Sequence, residues 1–513
     1  MKRFFQGKSV RLLPELRYAC AAVAISAALT IGSPVLASPA TPSMASLTTQ
    51  QKADLSKMLT AELQQVVNKQ KRLPGQKVQP ISVRLDSQTS TVMIEMGRDF
   101  IPKGDKYISG DVEEQLHQLE VVAFQIVGDS FVVEGTTFTF GGVPGDKLFA
   151  PTKWKPEHLR NKTTVNPSAD ADSPVVVSAG HGRTKVTGGW GWQRPAMNGW
   201  HEDVDNPTLA SKLAEFLRTR SDETITFPRS TSATIEGQTK LPWWQLAAKY
   251  HLARILPNET NIWNSPDVTS EKDKDVHSRP RYARYLNAKA IISLHTDAAD
   301  DTTVRGTRVI YQTGSTPSQE LATAISCSMK EIINATTGYE TWRVNTPTAG
   351  NYGENREAIE VPANLIEVGF HSNPQDAAAF VDPVFQDAAM KGIEKGYRVN
   401  SRGKTCVPQK ITSVPNVVFT VNGPRLDVPI NFVGNPQFPV VRTREFVKCP
   451  SGWTCPKAES FTISAEQASP IVGTWSCTGN QTIPRTTFQI KTTIVDADGV
   501  KNEFNSSFVC APA

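Results

Sequence analysis

The sequence predicts a central α/β domain, with a mixed or parallel sheet and helices on both faces, between a small α+β domain and a β-sandwich domain. Apolar runs that suit buried strands alternate with amphipathic helical patterns over residues 173–402. Residues 38–150 combine helical patterns with period-two strand patterns, and helical patterns stop at residue 406. The 513 residues are enough for three domains.

Residues 1–37 have the composition of a secretory signal peptide. Basic residues precede an apolar run, Ala19–Ile31, and a small-x-small pattern ends at Ala37. The run is shorter than the about 20 residues that cross a bilayer, which favours cleavage over an uncleaved anchor. Cys20 lies at the start of the apolar run rather than after it, which disfavours a lipoprotein. We therefore expect an exported protein, periplasmic or secreted, with no stable membrane span once the leader is removed.

The net charge of +5 belongs mainly to this leader, which holds five basic residues and one acidic residue. The rest of the chain has a net charge of only +1. Such a balance gives no basis for nucleic-acid binding, so nucleic acid is not an expected partner. Apolar residues make up 39% of the chain, which supports ordinary cores and excludes wholesale disorder.

The small α+β domain is predicted over residues 38–150, and a polar, proline-containing linker over 151–172. Leucines at helical spacing and alternating apolar residues define its elements. The predicted order is a helix over 49–70, strands over 81–85 and 92–96, a helix over 110–121 and a strand over 131–138. A lone histidine on the second helix, His117, is expected to be a surface residue.

The central domain is predicted over residues 173–402. Continuous apolar runs predict buried strands, and amphipathic stretches predict helices. The strands are expected over 174–177, 290–294, 308–311 and 363–368, and the helices over 209–218, 318–335 and 376–397. The charged run 271–275 is expected to be a solvated loop.

The last part, residues 406–513, reads as an immunoglobulin-like β domain with disulfides. Short β-rich stretches alternate with Pro, Gly and Asn turns. They lie at 417–421, 428–432, 440–447, 460–464, 486–495 and 504–510.

Six cysteines remain after the leader, and an even count in an exported chain suggests disulfides. We expect the pairs Cys327–Cys406, Cys449–Cys455 and Cys477–Cys510 among the 15 pairings that six cysteines allow. A zinc cluster is the alternative, but the spacings lack paired C-x2-C and no histidine follows His371.

Four polar side chains lie where predicted strands end or helices begin: His181, Glu202, His295 and Glu367. The carboxyl ends of parallel strands meet in one crevice. Two imidazoles and a carboxylate are a usual catalytic zinc set, and a further carboxylate can accept a proton from water. Each residue alone also fits a structural role, such as a loop histidine or a first-turn carboxylate of a helix.

Over residues 174–397 the motifs around these four residues resemble the zinc-dependent N-acetylmuramoyl-L-alanine amidases, cell-wall enzymes with a His-Glu-His metal site. The matching motifs are Gly180-His181-Gly182; Glu202, Asn206 and Ala210; Arg279 and Ala283 before Ser293-Leu294-His295; and Pro362, Leu365-Ile366-Glu367, Gly369-Phe370, Ser372-Asn373 and Asp376. The last motif is long and specific, whereas the first is short.

The resemblance implies that His181, Glu202 and His295 bind Zn2+ and that Glu367 is the catalytic residue, a general base. The implied reaction is hydrolysis of the amide between N-acetylmuramic acid and L-alanine by zinc-activated water, with peptidoglycan as substrate. His201 is an alternative ligand to Glu202, but adjacent helix residues cannot face one metal.

Three positions depart from the family pattern: Ser178, Arg183 and Asp297. Changes around metal ligands can reduce affinity or activity, so they put efficiency in question. The alternatives are a non-catalytic or inhibited wall-binding protein of the same fold, and another exported zinc peptidase. The flanking domains are expected to place or regulate the enzyme, with a regulatory protein or a wall polymer as partner.

Residues 230–278 exceed what the amidase core needs. One interpretation is a lid over the crevice, and another is that aromatic residues such as Trp244 stack on glycan sugars. A third is that Trp243, Leu246 and Ala247 form the inner face of a helix.

Overall fold

A computed structural model describes residues 43–102, 108–127, 131–148, 154, 156, 172–479, 482 and 484–512. The predicted signal peptide and most of the predicted linker lie outside the described residues. Every helix in the described parts is too short or too polar to cross a membrane.

The N-terminal part contains the predicted helices and strands. They are α1 (Thr49–Lys69), β1 (Ile81–Asp86), β2 (Thr91–Met96), α2 (Gly110–Val127) and β3 (Gly135–Phe140), which starts four residues later than predicted. Two short elements that were not predicted follow, β4 (Val143–Pro144) and α3 (Gly145–Leu148). α1 starts at a capping box in which the Thr48 and Gln51 side chains each accept the other's backbone N–H. Leu59 and Leu63 on α1 and Leu119 on α2 are fully buried in one apolar core with β1 and β2.

The central part alternates strands and helices, as predicted. Its elements are β5 (Val175–Ala179), β6 (Thr184–Val186), β7 (Gly189–Gly191), α4 (Glu202–Ser221), β8 (Ile225–Thr226), α5 (Ala248–Ile255), α6 (Thr260–Trp263), α7 (Glu271–Tyr285), β9 (Ala290–Asp297), β10 (Arg308–Gln312), α8 (Thr316–Ala335), β11 (Thr348–Gly350), α9 (Gly353–Arg356), β12 (Ala363–Phe370), α10 (Pro374–Phe380) and α11 (Pro383–Ser401). Short 3-10 turns lie at Met44–Ser46, Arg98–Phe100 and Trp243–Gln245.

Helices cover both faces of the central sheet, as the sequence predicts. Along β5, Val175 and Val177 point into a core shared with α4, α8 and α11. Val176 points to the opposite face, where it packs with Ala283 of α7. This alternation explains why β5 is apolar throughout, since both of its faces are buried.

Within the described residues, ten strands form one mixed sheet that includes the N-terminal part. Its order is β1-β2-β3-β11-β10-β12-β9-β5-β8, with β4 paired to β3. The junction is a single parallel pair between Gly135 of β3 and Ala349 of β11. A Cβ atom at Gly135 would lie 2.9 Å from the Ala349 carbonyl oxygen, so the close approach requires glycine. This continuity was not predicted, and it brings α2 towards the central domain.

Two local predictions are wrong, both at helix starts. The helix expected over 376–397 is divided into α10 and α11, because Asp382 caps a new helix that begins with Pro383. The charged run 271–275 is the first turn of α7. Ser270 caps this turn by accepting a hydrogen bond from Asp273 N–H, and acidic residues suit a helix N-terminus.

The C-terminal part is a β domain of two sheets around one core. Its strands are β13 (Lys410–Ser413), β14 (Val417–Thr420), β15 (Leu426–Val433), β16 (Val440–Lys448), β17 (Glu459–Ile463), β18 (Ile471–Trp475), β19 (Thr486–Val495) and β20 (Lys501–Ala511). One sheet has the order β13-β15-β18 and the other β14-β20-β19-β16-β17. Trp475 from the first and Phe488 from the second are buried in the shared core.

The six described cysteines form the three predicted disulfides. They are Cys327–Cys406, Cys449–Cys455 and Cys477–Cys510. The first of them joins α8 to the segment that enters the β domain.

Candidate active site and metal centre

Three neighbouring parallel strands and one helix start bring the four sequence-predicted site residues together. β9 pairs in parallel with both β5 and β12. His181 follows the end of β5, His295 lies on β9, and Glu367 on β12 pairs in register with His295. Glu202 is the first residue of α4. All four are buried, with 2–7% of each residue exposed.

His181, Glu202 and His295 can hold one metal ion. Each offers a donor atom, and these atoms lie within 4.8 Å of one another. Glu202 Oε1 is 3.4 Å from His181 Nε2 and 2.9 Å from His295 Nδ1. Two ligands of a tetrahedral ion at about 2.1 Å lie about 3.4 Å apart, so the spacing suits a zinc-sized ion. The described residues also give His181 Nδ1 no hydrogen-bond partner.

The glycines beside His181 are required by close packing. A Cβ atom at Gly180 would lie 2.3 Å from Cε1 of His295, so the imidazole packs directly on the glycine backbone. His181 itself has φ of 64°, and Gly182 has φ of 109°. A non-glycine residue seldom adopts this left-handed conformation, which indicates that the loop holds His181 in a strained position.

Arg229 fixes this loop against the start of α4. Its guanidinium is buried and donates to the carbonyls of Gly180 at 3.1 Å, Asp203 at 2.6 Å and Trp244 at 2.8 Å. The carbonyls of a strand end, a helix start and the 230–278 region are therefore joined through one side chain. Sequence reasoning did not select Arg229, because a single arginine in an inserted region carries no pattern.

Glu354 is a second site residue that sequence reasoning missed. A carboxylate oxygen of Glu354 lies 3.1 Å from His295 Nε2, on the side of the ring opposite to Glu202. Arg279 donates to Glu354 at 2.6 Å and to Asp275 at 3.3 Å. This arrangement holds the proton on Nε2 and directs Nδ1 towards Glu202, as carboxylates commonly do for metal-binding histidines.

The charges of the centre favour a cation. Burial and Arg194 lower the pKa of His181 well below its usual range, so its imidazole is neutral. Burial alone would raise the pKa of Glu202, but His181 and His295 hold it well below its usual range. Burial opposes the charge on His295, yet Glu354 and Glu202 raise its pKa to about 10. Two carboxylates on one imidazole thus provide a strongly negative environment.

Glu367 has the properties of a proton acceptor. Burial, followed by the nearby Asp297 carboxylate, raises its pKa well above the usual range. Its Oε2 atom has no hydrogen-bond partner within the described chain. A buried carboxylate with a raised pKa and a free oxygen is typical of general acid–base catalysts.

His201, the alternative ligand, is not one of the three residues whose donor atoms cluster. The Nε2 atom of His201 lies 2.9 Å from the carbonyl oxygen of Arg194, and His201 is the N-cap of α4. Of the positions that depart from the family pattern, Ser178 is fully buried, and Arg183 stacks over Trp192 with 4.1 Å to the ring centroid.

The prediction that His117 is a surface residue is wrong. Only 9% of it is exposed, and its Nε2 lies 2.8 Å from Asp297 Oδ1. The reason is the continuous sheet, which seats α2 over the site. A cavity of about 80 Å³ remains beside the metal centre, and α2 lines it with Gly110, Glu113, Glu114 and His117.

The 230–278 region contributes little to this cavity. Within the described residues, only Lys272 and Val276 of that region line it. Leu246 and Ala247 are buried, as the core interpretation expects, but Trp243 is half-buried and lies in a 3-10 turn before α5. Among the described residues, α2 thus contributes more side chains to the cavity than the 230–278 region does, and the lid stays a hypothesis.

Comparison with known proteins agrees with the motifs. Residues 175–398 match the family described as N-acetylmuramoyl-L-alanine amidase. A germination-specific N-acetylmuramoyl-L-alanine amidase of Bacillus subtilis (strain 168) is 26% identical over 146 residues, which are 28% of this chain and 59% of that protein. The chain thus spans 59% of the length of this curated relative.

Solved amidase structures align with a little under half of the chain. The catalytic domain of CwlV from Bacillus (Paenibacillus) polymyxa var. colistinus has 21% identity and a TM-score of 0.30, and covers 45% of this chain and 98% of its own. The CwlD amidase of Clostridioides difficile, solved in complex with the GerS lipoprotein, has 17% identity and a TM-score of 0.32, and covers 45% and 100%. The family match over residues 175–398 includes His181, Glu202, His295 and Glu367.

Proposed function

We propose that this protein is an exported peptidoglycan hydrolase that uses a zinc ion to cleave the amide between N-acetylmuramic acid and L-alanine of the stem peptide. The observation that carries the proposal is a three-donor centre in one buried crevice with Glu367, whose Oε2 atom has no hydrogen-bond partner among the described residues. The family match supplies the bond type.

His181, Glu202 and His295 would hold the ion, and two imidazoles with one carboxylate suit zinc better than magnesium or calcium. When bound, zinc supplies a Lewis acid and lowers the pKa of a water molecule to about 7. The Oε2 atom of Glu367 accepts a proton from the attacking water. The same carboxyl group then donates it to the nitrogen of the leaving L-alanine, so that Glu367 is regenerated.

The other residues of the site orient these groups. Glu354 and Arg279 fix the ring of His295, and Arg229 fixes the loop of His181. The buried position of Glu367 excludes bulk water from its carboxylate, so the proton stays between enzyme and substrate.

Export is supported by the predicted leader and by the disulfides. Three disulfides among the described cysteines indicate an oxidising compartment. We infer a periplasmic or cell-wall-associated location, with peptidoglycan as substrate. The flanking parts would bind a wall polymer or a regulatory protein.

One observation favours the alternative of an inhibited wall-binding protein. The cavity of about 80 Å³ beside the metal centre is far smaller than the about 300 Å³ at which small-molecule pockets begin. A glycan strand with its stem peptide therefore reaches the centre only if this cavity widens. The two functions differ in turnover, since a binding protein sediments with cell walls without releasing products.

The test compares the mature protein with Glu367→Gln, which keeps the shape of the side chain but cannot accept a proton. We expect one zinc per chain in both proteins, with free N-terminal L-alanine released from purified cell walls only by the wild type. Zinc in both proteins without release from either would support the inhibited binding protein. Absence of zinc from the wild type after zinc loading would refute the ligand assignment.

A further inference from the structure

Helix α2 contributes two side chains to a buried polar network beside the metal centre. His117 Nε2 lies 2.8 and 2.9 Å from the two carboxylate oxygens of Asp297, and His117 Nδ1 lies 2.8 Å from the hydroxyl of Tyr352. Tyr352 also donates to Glu120. Arg308 donates to Glu120 at 2.9 Å and to Asp297 at 3.5 Å. Two α2 residues thus join three residues of the central domain.

The charges of this network balance only if His117 is included. Glu120 and Asp297 are two carboxylates with 1% and 6% of each residue exposed, and Arg308 is a single cation. A buried charge without a partner is strongly destabilising. Burial disfavours the charged imidazole, but Asp297 outweighs it and raises the pKa of His117 to about 9. His117 is therefore the second cation, and it neutralises Asp297.

The two central-domain partners of His117 belong to segments that carry the metal centre. Asp297 is the last residue of β9 and lies two residues after His295. Its carbonyl oxygen accepts a hydrogen bond from the backbone N–H of His371, close to the point where the pairing register of β9 and β12 shifts. Tyr352 lies two residues before Glu354, which holds His295 Nε2. After burial, the Asp297 carboxylate has the largest effect on the pKa of Glu367, which it raises. A change at His117 is therefore transmitted both to a ligand and to the proton acceptor.

We propose that His117 is a positioning residue of the amidase site, supplied by the N-terminal helix α2, and that it fixes Asp297 and Tyr352 so that His295 and Glu367 keep their working geometry. The inference rests on the proposed function. It means that the family-matched region, residues 175–398, holds the reacting groups but depends on a side chain from outside that region.

The test uses the full mature chain with His117→Gln, which keeps one hydrogen bond to Asp297 but removes the charge. We expect kcat to fall about 10- to 100-fold with KM within twofold, and zinc affinity in a chelator competition to weaken, since such supporting contacts have effects of this size. The matched control is Gln125→Ala. Gln125 also joins α2 to the central domain, through Asp301 at 2.8 Å, but away from the metal centre. Both quantities should stay within twofold in the control.

A second substitution separates positioning from general damage. Asp297→Asn removes the charge that His117 neutralises, so adding His117→Gln to it should cost less than threefold in kcat. A double-mutant cycle of these variants should therefore show strong coupling between positions 117 and 297, as for residues in direct contact. If His117→Gln alone is too unstable to purify, the double variant against Asp297→Asn supplies the comparison.

Three results would overturn the inference. The first is a folded His117→Gln protein with kcat and zinc affinity within twofold of the wild type. The second is a rise in kcat, which would make α2 an inhibitory cover. The third is additive losses in the double variant. Failure of the proposed function is seen separately, as a wild type without amide release, and zinc affinity of the variants still tests His117 in that case.

Discussion

Replacing Gly180 by alanine should disable the metal centre through a single methyl group. The Cβ atom would lie 2.3 Å from Cε1 and 2.5 Å from Nδ1 of His295. Carbon atoms in contact are normally about 3.5 Å apart, so the ring must move by about 1 Å. Metal–ligand distances tolerate only about 0.2 Å. We therefore expect zinc affinity to fall by about 100-fold or more, with about 1–3 kcal/mol lost from the free energy of unfolding.

The measurement is zinc affinity by chelator competition, together with urea denaturation, for Gly180→Ala and a matched control. Gly237→Ala is the control, because a Cβ atom there has no neighbour within 4 Å. Near-wild-type zinc affinity in a folded Gly180→Ala protein would refute the packing argument. An equal loss in Gly237→Ala would show that the effect is not local.

Three further predictions concern the supporting structure. Glu354→Gln should weaken zinc binding about 10- to 100-fold, because it removes the negative charge of the carboxylate that contacts His295 Nε2. Unchanged zinc affinity in chelator competition would contradict that role. The folded pKa of His117, about 9, exceeds its unfolded value, so its contribution is complete below pH 6.5 and is lost as pH rises to about 9. Urea denaturation should show a loss of up to about 3 kcal/mol over this range in the wild type and little in His117→Gln; equal losses would refute the assignment. Replacing Cys477 and Cys510 by serine removes a disulfide between residues 33 positions apart. The free energy of unfolding in the same assay should fall by about 3–4 kcal/mol. Little change would show that the core alone stabilises the β domain.

The site residues that could be predicted from the sequence are those that lie next to local apolar or helical patterns. His181, His295 and Glu367 follow or lie on apolar strands, and apolar runs report buried strands directly. Glu202 lies at the start of an amphipathic helix. Parallel pairing then brings strand ends together whatever the intervening sequence, so the convergence of these residues follows from the strand pattern.

The missed parts depend on contacts between distant segments. His117 meets Asp297 across 180 positions of sequence, and Glu354 meets His295 from the short helix α9, which has too few residues for any periodicity. The pairing of Gly135 with Ala349 is a single backbone contact without a side-chain signature. Local patterns contain no information on such contacts, so a helix histidine could be assigned only its commonest environment.

The shared sheet means that the limits of the family match are not the limits of a folding unit. A chain that starts at residue 172 would lack β3, and the backbone groups of β11 that face it would become an open sheet edge. Open edges promote pairing between molecules. The same cut would expose Asp297 and Arg308 without their α2 partners. The N-terminal and central parts should therefore unfold in one cooperative transition, and the isolated amidase region should aggregate more readily than the whole chain.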